Sequence, residues 1–235
     1  MACLLLVTCE HGGNRVPAPY RGLFRGADRL LASHAGHDIG ALGLARVLAG
    51  RLQATLHYST VTRLLVDLNR SPGHRDWFSR FTRPLPEDTR EQIVRRYYAP
   101  YRDGVMTAVA DALSRGRPVI HFSAHSFTPV FRGEVRNADI GLLYDPARTA
   151  ERTLCVELAA TLRDAGYRVR RNYPYRGSAD GLTTTLRRRS GDAPYCGIEL
   201  ELNQAITGAA SWPASRRRLA DAIAEVTSDW CARRR

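Results

Sequence analysis

Short apolar runs alternate along this chain with longer stretches in which apolar residues return every three or four positions. Residues 4–8 form the first run and predict a buried strand, followed at once by the turn His11-Gly12-Gly13. Pro17 and Pro19 predict an irregular loop. Over residues 39–52 Ala41, Leu44, Ala45, Leu48 and Leu52 recur at helical spacing, and Asp38 stands where the helix N-cap belongs. Residues 56–59 and 64–68 read as strands. Residues 87–115 read as helical, with Pro100 kinking the helix or opening a second one.

The run 118–122 predicts a strand, with His125 emerging at its C-terminal edge, where open α/β sheets gather their ligands. A loop with Pro129 and Gly133, a short strand at 140–144, a helix at 148–165 ended by Gly166 and a strand at 167–171 come next. Residues 172–177 are turn-rich, 183–189 helical, 195–202 a strand and 213–231 a closing amphipathic helix. Strands and helices alternate throughout, without repeat or linker. The expectation is one domain over residues 1–235, a three-layer α/β/α sandwich with a mostly parallel or mixed central sheet.

Composition changes this picture little. The 235 residues are 44% hydrophobic, enough for a core, and hold no run of about 18 apolar residues that would span a membrane. Residues 1–7 are apolar but lack the basic start of a signal peptide. Five cysteines without a C-x-x-C pair fit a reducing compartment, so the expected location is the cytoplasm. The net charge of +12 is almost wholly arginine. Its clusters, Arg187-Arg188-Arg189, Arg216-Arg217-Arg218 and Arg233-Arg234-Arg235, lack interleaved aromatics. No specific nucleic acid or membrane partner is expected, although a basic binding protein on an inactive scaffold is the alternative from another class.

Chemistry-bearing residues close or follow the apolar runs. His11 and His125 leave two strand ends and Asp38 opens a helix, the donor types of a one-zinc catalytic centre. In residues 198–202 apolar and acidic residues alternate, so Glu199 and Glu201 share one strand face in a strand expected to be covered on both. Either could move the proton in a hydrolysis. Asn69 and Arg70 together suit a substrate carboxylate, and Arg63 could face an oxyanion. A salt-bridge cluster of Asp67, Arg63 and Arg70 is the plainer alternative. Asp38 fits an N-cap equally well. Of the other histidines His37 is the likeliest ligand, because it adjoins Asp38.

Five segments in this order, residues 9–17, 37–41, 62–71, 124–129 and 201–204, together resemble the N-formylglutamate amidohydrolase family. The resemblance implies a zinc-peptidase-like fold, related to zinc carboxypeptidases, aspartoacylases and cell-wall amidases. It also implies one Zn2+ per chain, held by His11, Asp38 and His125, with Glu201 as general base. Asn69 and Arg70 would hold the carboxylate of an N-acyl amino acid such as N-formylglutamate, with Tyr175 or Arg176 lining the pocket. The carboxypeptidase pattern has a Glu three residues after its first His, where this chain has Asn14. Asp38, Asn14 or Glu10 could therefore complete the metal site. A peptide or a cell-wall amide is the alternative substrate.

Overall fold

The computed structural model describes residues 3–233; Met1, Ala2 and the Arg234-Arg235 end of the last basic cluster lie outside it. Its strands are β1 (Leu4–Cys9), β2 (Thr55–Tyr58), β3 (Val119–Phe127), β4 (Val130–Phe131), β5 (Glu134–Val135), β6 (Ile140–Leu143), β7 (Val169–Arg171) and β8 (Tyr195–Asn203). The helices are α1 (Asp28–Leu31), α2 (Ala41–Leu52), α3 (Glu87–Ile93), α4 (Ala99–Ser114), α5 (Thr149–Asp164), α6 (Leu182–Ser190), α7 (Gln204–Thr207) and α8 (Trp212–Ala232). A 3-10 segment, Ala18–Phe24, occupies the loop expected around Pro17 and Pro19.

Six strands form the central sheet in the order β2-β1-β3-β8-β6-β7. The first four run parallel, and β6 turns antiparallel against β8 with β7 parallel to it. The sheet is therefore mixed, with four of its six strands in one direction. Every residue of β3 is buried, as expected of a strand with helices on both faces. One face packs on α2, α5 and α8 through Val7, Phe122, Leu158, Leu200 and Ile223. The other packs on α4 and α6 through Leu6, Val105, Val109, Leu182 and Leu186. Each fully buried leucine of α2 (Leu44, Leu48) contributes about 2–3 kcal/mol by leaving water.

Three local readings are corrected. The apolar residues 64–68 form turns, not a strand. Leu65, Val66 and Leu68 are buried all the same, in a separate cluster with Phe24, Ile93 and Tyr98, so burial without a ladder explains their hydrophobicity. The strand that carries His125 continues to Phe127, so the histidine lies within β3 rather than beyond it. Asp38 does not cap α2: Gly40 does, with φ +86°, and a Cβ there would sit 2.4 Å from that of Thr207. Between α3 and α4 the helix passes through a π-turn at Val94–Tyr98, and Pro100 stands in the first turn of α4.

Candidate metal and amide-hydrolysis centre

The polar residues of the sheet share one face. In register, His125 pairs with Glu201 and Ser123 with Glu199 across β3 and β8, while Thr8 of β1 pairs with Ser123. Alternation carries Glu10 past the end of β1 to that same side, where α4 supplies Tyr101 to its Oε1 at 3.0 Å. His11 follows in the turn, and its carbonyl accepts from the Asp38 N–H at 2.9 Å, which draws the segment before α2 against β1.

These placements bring His11, Asp38 and His125 together. One potential ligand atom from each lies within 4.8 Å of the others, and all three residues are buried. Both Nδ1 atoms face the same oxygen, Asp38 Oδ2, at 3.3 Å from His11 and 2.8 Å from His125. The Nε2 atoms point outward to carboxylates: His11 to Asp67 Oδ1 at 2.7 Å and His125 to Glu10 Oε2 at 3.1 Å. A carboxylate behind each imidazole orients the ring so that its Nδ1 faces the cluster. Two imidazoles and one carboxylate are a donor set suited to zinc, so these residues fit the ion. His37 is not among them, since its Nδ1 faces the Leu31 carbonyl. Asn14 is exposed, and Glu10 stands behind His125 rather than beside His11.

Charge in the cluster is tightly matched. Burial alone would raise Asp38, but His11, His125 and Arg63 hold its carboxyl well below the usual range. Asp67 is lowered likewise, against burial, by His11 and Arg63. Burial works against the charged form of His125, yet hydrogen bonds to Asp38 and Glu10 raise it well above an ordinary imidazole. Arg63 donates twice to Asp67 Oδ2, at 3.2 and 3.0 Å, and once to Asp38 Oδ1 at 3.1 Å. The ion pair expected between Arg63 and Asp67 thus exists, with Asp67 buried and Arg63 partly exposed on the cavity wall.

Glu201 is the exception. Its Oε2 is buried without a hydrogen-bond partner, and burial pushes its carboxyl up to about 8, helped by the charges of Asp38 and Glu199. Glu199, two residues earlier, accepts from Thr183 Oγ1 at 2.6 Å.

Around this cluster lies a cavity of about 190 Å³ whose walls include Glu201, Arg63, Asn69, Arg70, Tyr175 and Arg176. Asn69 spans the site, with Nδ2 3.3 Å from His125 Nε2 and Oδ1 accepting the Leu182 N–H at 2.7 Å. The Arg70 guanidinium donates to the Asp180 carbonyl at 2.7 Å, and no carboxylate among the described residues forms a salt bridge with it. Tyr175, 41% exposed, stacks against Arg136, which also lies over Phe127 and Phe131. Glu10 and Asp67 were candidates from sequence, but as a ligand and a surface ion pair rather than as partners of His125 and His11, and nothing local singled out His34 or the Gln204 side chain. Their partners are distant in the chain, 56 residues away for Asp67 and His11. Alternation along residues 8–10 could have placed Glu10.

No helix among the described residues is long and apolar enough to cross a membrane. No curated protein matches the sequence. Among solved structures the chain is similar to gene product Atu2144 from Agrobacterium tumefaciens, at 31% identity, over 96% of this chain and 90% of that one, with a TM-score of 0.81. It is also similar in fold to the N-formylglutamate amidohydrolase from Ralstonia eutropha JMP134, at 21% identity, over 99% and 95% of the two chains, with a TM-score of 0.73. The family model for N-formylglutamate amidohydrolase matches residues 3–207. The chain belongs to the N-formylglutamate amidohydrolase family, whose members hydrolyse amide bonds.

Proposed function

We propose that this chain is a zinc-dependent amidohydrolase that removes the acyl group, formyl among the candidates, from an N-acyl amino acid such as N-formylglutamate. The observation that carries the reading is the pairing of a three-donor cluster with an unpartnered buried carboxyl, Glu201, on the wall of one cavity.

His11, Asp38 and His125 would hold one zinc ion through Nδ1, a carboxylate oxygen and Nδ1. When bound, zinc supplies an acidified water and a Lewis acid for the acyl carbonyl. The remaining work falls to the chain's own side chains. Glu201 accepts the proton of the attacking water and delivers it to the departing nitrogen. An elevated proton affinity suits that return step, because the carboxyl must both take and give within one cycle. Arg63 adds positive charge near the carbonyl oxygen while its hydrogen bonds keep Asp38 and Asp67 in place. Asn69 and Arg70 meet the α-carboxylate, the Arg70 fork forming no salt bridge with a carboxylate among the described residues. Tyr175 and Arg176 border the side-chain end of the cavity.

The test separates the roles. Glu201→Gln is expected to retain stoichiometric zinc by elemental analysis and to lose about 10²–10⁴-fold in kcat on the preferred N-acyl amino acid. His125→Ala is expected to lose the metal itself. Activity at the wild-type level in the first variant would remove Glu201 from the reaction, and full zinc content in the second would remove His125 from the metal site. A screen of formyl, acetyl and carbamoyl amino acids, with a chelator control, identifies the substrate.

A further inference from the structure

Arg136 directly follows β5 and is only 8% exposed, yet no carboxylate among the described residues forms a salt bridge with it. Its main chain is pinned from both sides. The N–H donates to the Pro129 carbonyl at 2.8 Å, and the carbonyl accepts from Asn203 Nδ2 at 3.2 Å. The guanidinium lies over three rings, with its centre 4.6 Å from Phe131, 5.3 Å from Tyr175 and 5.8 Å from Phe127. Arg187 and Arg102, buried elsewhere in the fold, instead meet oxygens: Glu151 for the first, the Leu68 carbonyl and the Thr185 hydroxyl for the second. Ring faces attract a cation, but they leave its charge without an anion.

Strand register places this cation beside the cavity. His125 pairs with Glu201 across β3 and β8, and the next pair on that face is Phe127 with Asn203. Two residues along a strand put this rung about 7 Å further out. Arg136 rests on the Phe127 ring and is tethered by Asn203, while Tyr175, another of its three rings, lines the cavity itself. Arginine has no acceptor, so in the 3.4 Å contact between them Nη1 donates and the Tyr175 oxygen accepts. The phenolic proton then remains for another acceptor, and no described residue takes it.

Such a border suits a second anion on the substrate. Arg70 and Arg136 are cations without a carboxylate partner among the described residues, one in the cavity lining and one just behind Tyr175. An N-acyl amino acid with an acidic side chain presents two carboxylates. With its α-carboxylate on Asn69 and Arg70, it can offer the other to the Tyr175 hydroxyl within the field of Arg136. Behind a ring and away from bulk water that field is weakly screened. We infer that Arg136 is a positioning residue that sets specificity: it holds Tyr175, and through it makes the side-chain end of the cavity select a carboxylate over a neutral group of the same shape. The inference rests on the amidohydrolase reading and adds the class of side chain accepted.

One arm of the test needs no turnover. The full zinc-loaded chain is titrated calorimetrically with N-methanesulfonyl-glutamate and its glutamine counterpart, whose sulfonamide bonds resist hydrolysis. The wild type is expected to favour the glutamate analogue about tenfold, and Arg136→Met to lose that preference. Arg136→Lys, which keeps the charge but not the planar head, is expected to restore part of it. Tyr175→Phe, at an exposed position where folding is not at stake, is expected to lose the preference as well. Equal binding of the two analogues by the wild type, or a preference intact in Arg136→Met or Tyr175→Phe, overturns the inference. In kinetics, Arg136→Met is expected to raise KM for N-formylglutamate about tenfold, with kcat and zinc content little changed. A fall in kcat at unaltered KM overturns the specificity role. A wild type that discriminates between the analogues yet hydrolyses no N-acyl amino acid overturns the amidohydrolase reading and leaves the role of Arg136 in carboxylate selection standing.

Discussion

A histidine ligates well only when its other ring nitrogen is satisfied, and His11 and His125 are each supported in this way by a carboxylate that belongs to no ligand set. Asp67 does this for His11 at 2.7 Å and is itself gripped by Arg63. Glu10 does it for His125 and also receives the Ser123 hydroxyl at 2.6 Å. Asp67→Asn keeps the volume and removes the charge, so it is expected to weaken zinc affinity about 10–100-fold without altering the ligands, measurable by competition with a chromophoric chelator. An unchanged affinity would mean that the ring is oriented by packing alone. At this scale the sequence spoke unevenly. His11 and His125 stood out because they leave the ends of two apolar runs. Asp67 was legible as a charge near Arg63, but nothing local ties position 67 to position 11. The N-cap reading of Asp38 failed because Gly40 supplies the αL start of α2 and releases the carboxyl for the cluster.

Among the elements, α6 is held to the sheet by a device that periodicity does not reveal. Arg187 is buried and donates to Glu151 of α5 at 2.9 Å, to the Gly177 carbonyl at 2.6 Å and to the Gly197 carbonyl of β8 at 2.7 Å. Glu151 in turn accepts the Gly197 and Asp145 N–H groups at 3.0 and 2.9 Å. From sequence, Arg187 looked like one of three consecutive surface arginines. It is the one that helical rotation turns inward, beside Thr183 and Thr184. Arg187→Met would leave the Glu151 carboxylate buried without its cation, at an expected cost of about 3–5 kcal/mol in urea unfolding. Glu151→Gln combined with Arg187→Met is expected to return part of that loss. A single variant as stable as wild type would show that water replaces the guanidinium. Strand periodicity was the more faithful guide in β3 and β8, where apolar residues on one face alternate with the polar residues of the site on the other. It misled at 64–68, because a buried turn and a buried strand ask for the same residues.

For the whole molecule, stability should carry a pH signature from a histidine outside the three-donor cluster. His121 is fully buried between Thr8 Oγ1 at 2.8 Å and the Tyr195 hydroxyl at 2.7 Å. Burial presses its imidazole down to about 4, against the upward pull of Glu10. The unfolded chain takes up this proton near pH 6.5 and the folded one only near 4, so the unfolded state binds more protons between those values. Stability is therefore complete above pH 6.5 and falls as pH drops toward 4, by about 3 kcal/mol from this group alone. His121→Gln is expected to flatten that interval in urea unfolding followed from pH 7 to 4. Equal slopes in the two proteins would mean that the folded imidazole titrates normally. The layered architecture itself was legible from the alternation of element types. The reversal of β6 and β7 was not, since strand direction depends on how connections pass over the sheet and leaves no mark in residues 140–143 or 169–171.

The order of strands has a further bearing on how the chain can be made. β8 lies in the middle of the sheet, yet among the described strands it is the last to be synthesised, and both β3 and β6 depend on it for a neighbour. A nascent chain that has reached residue 190 therefore carries two half-sheets with raw hydrogen-bonding borders, β2-β1-β3 and β6-β7, and nothing to join them. All three donors of the cluster, the latest being His125, are already present at that stage, while the carboxyl of Glu201 is still to come. The residues proposed to hold the cation are thus all synthesised before the strand that closes the sheet.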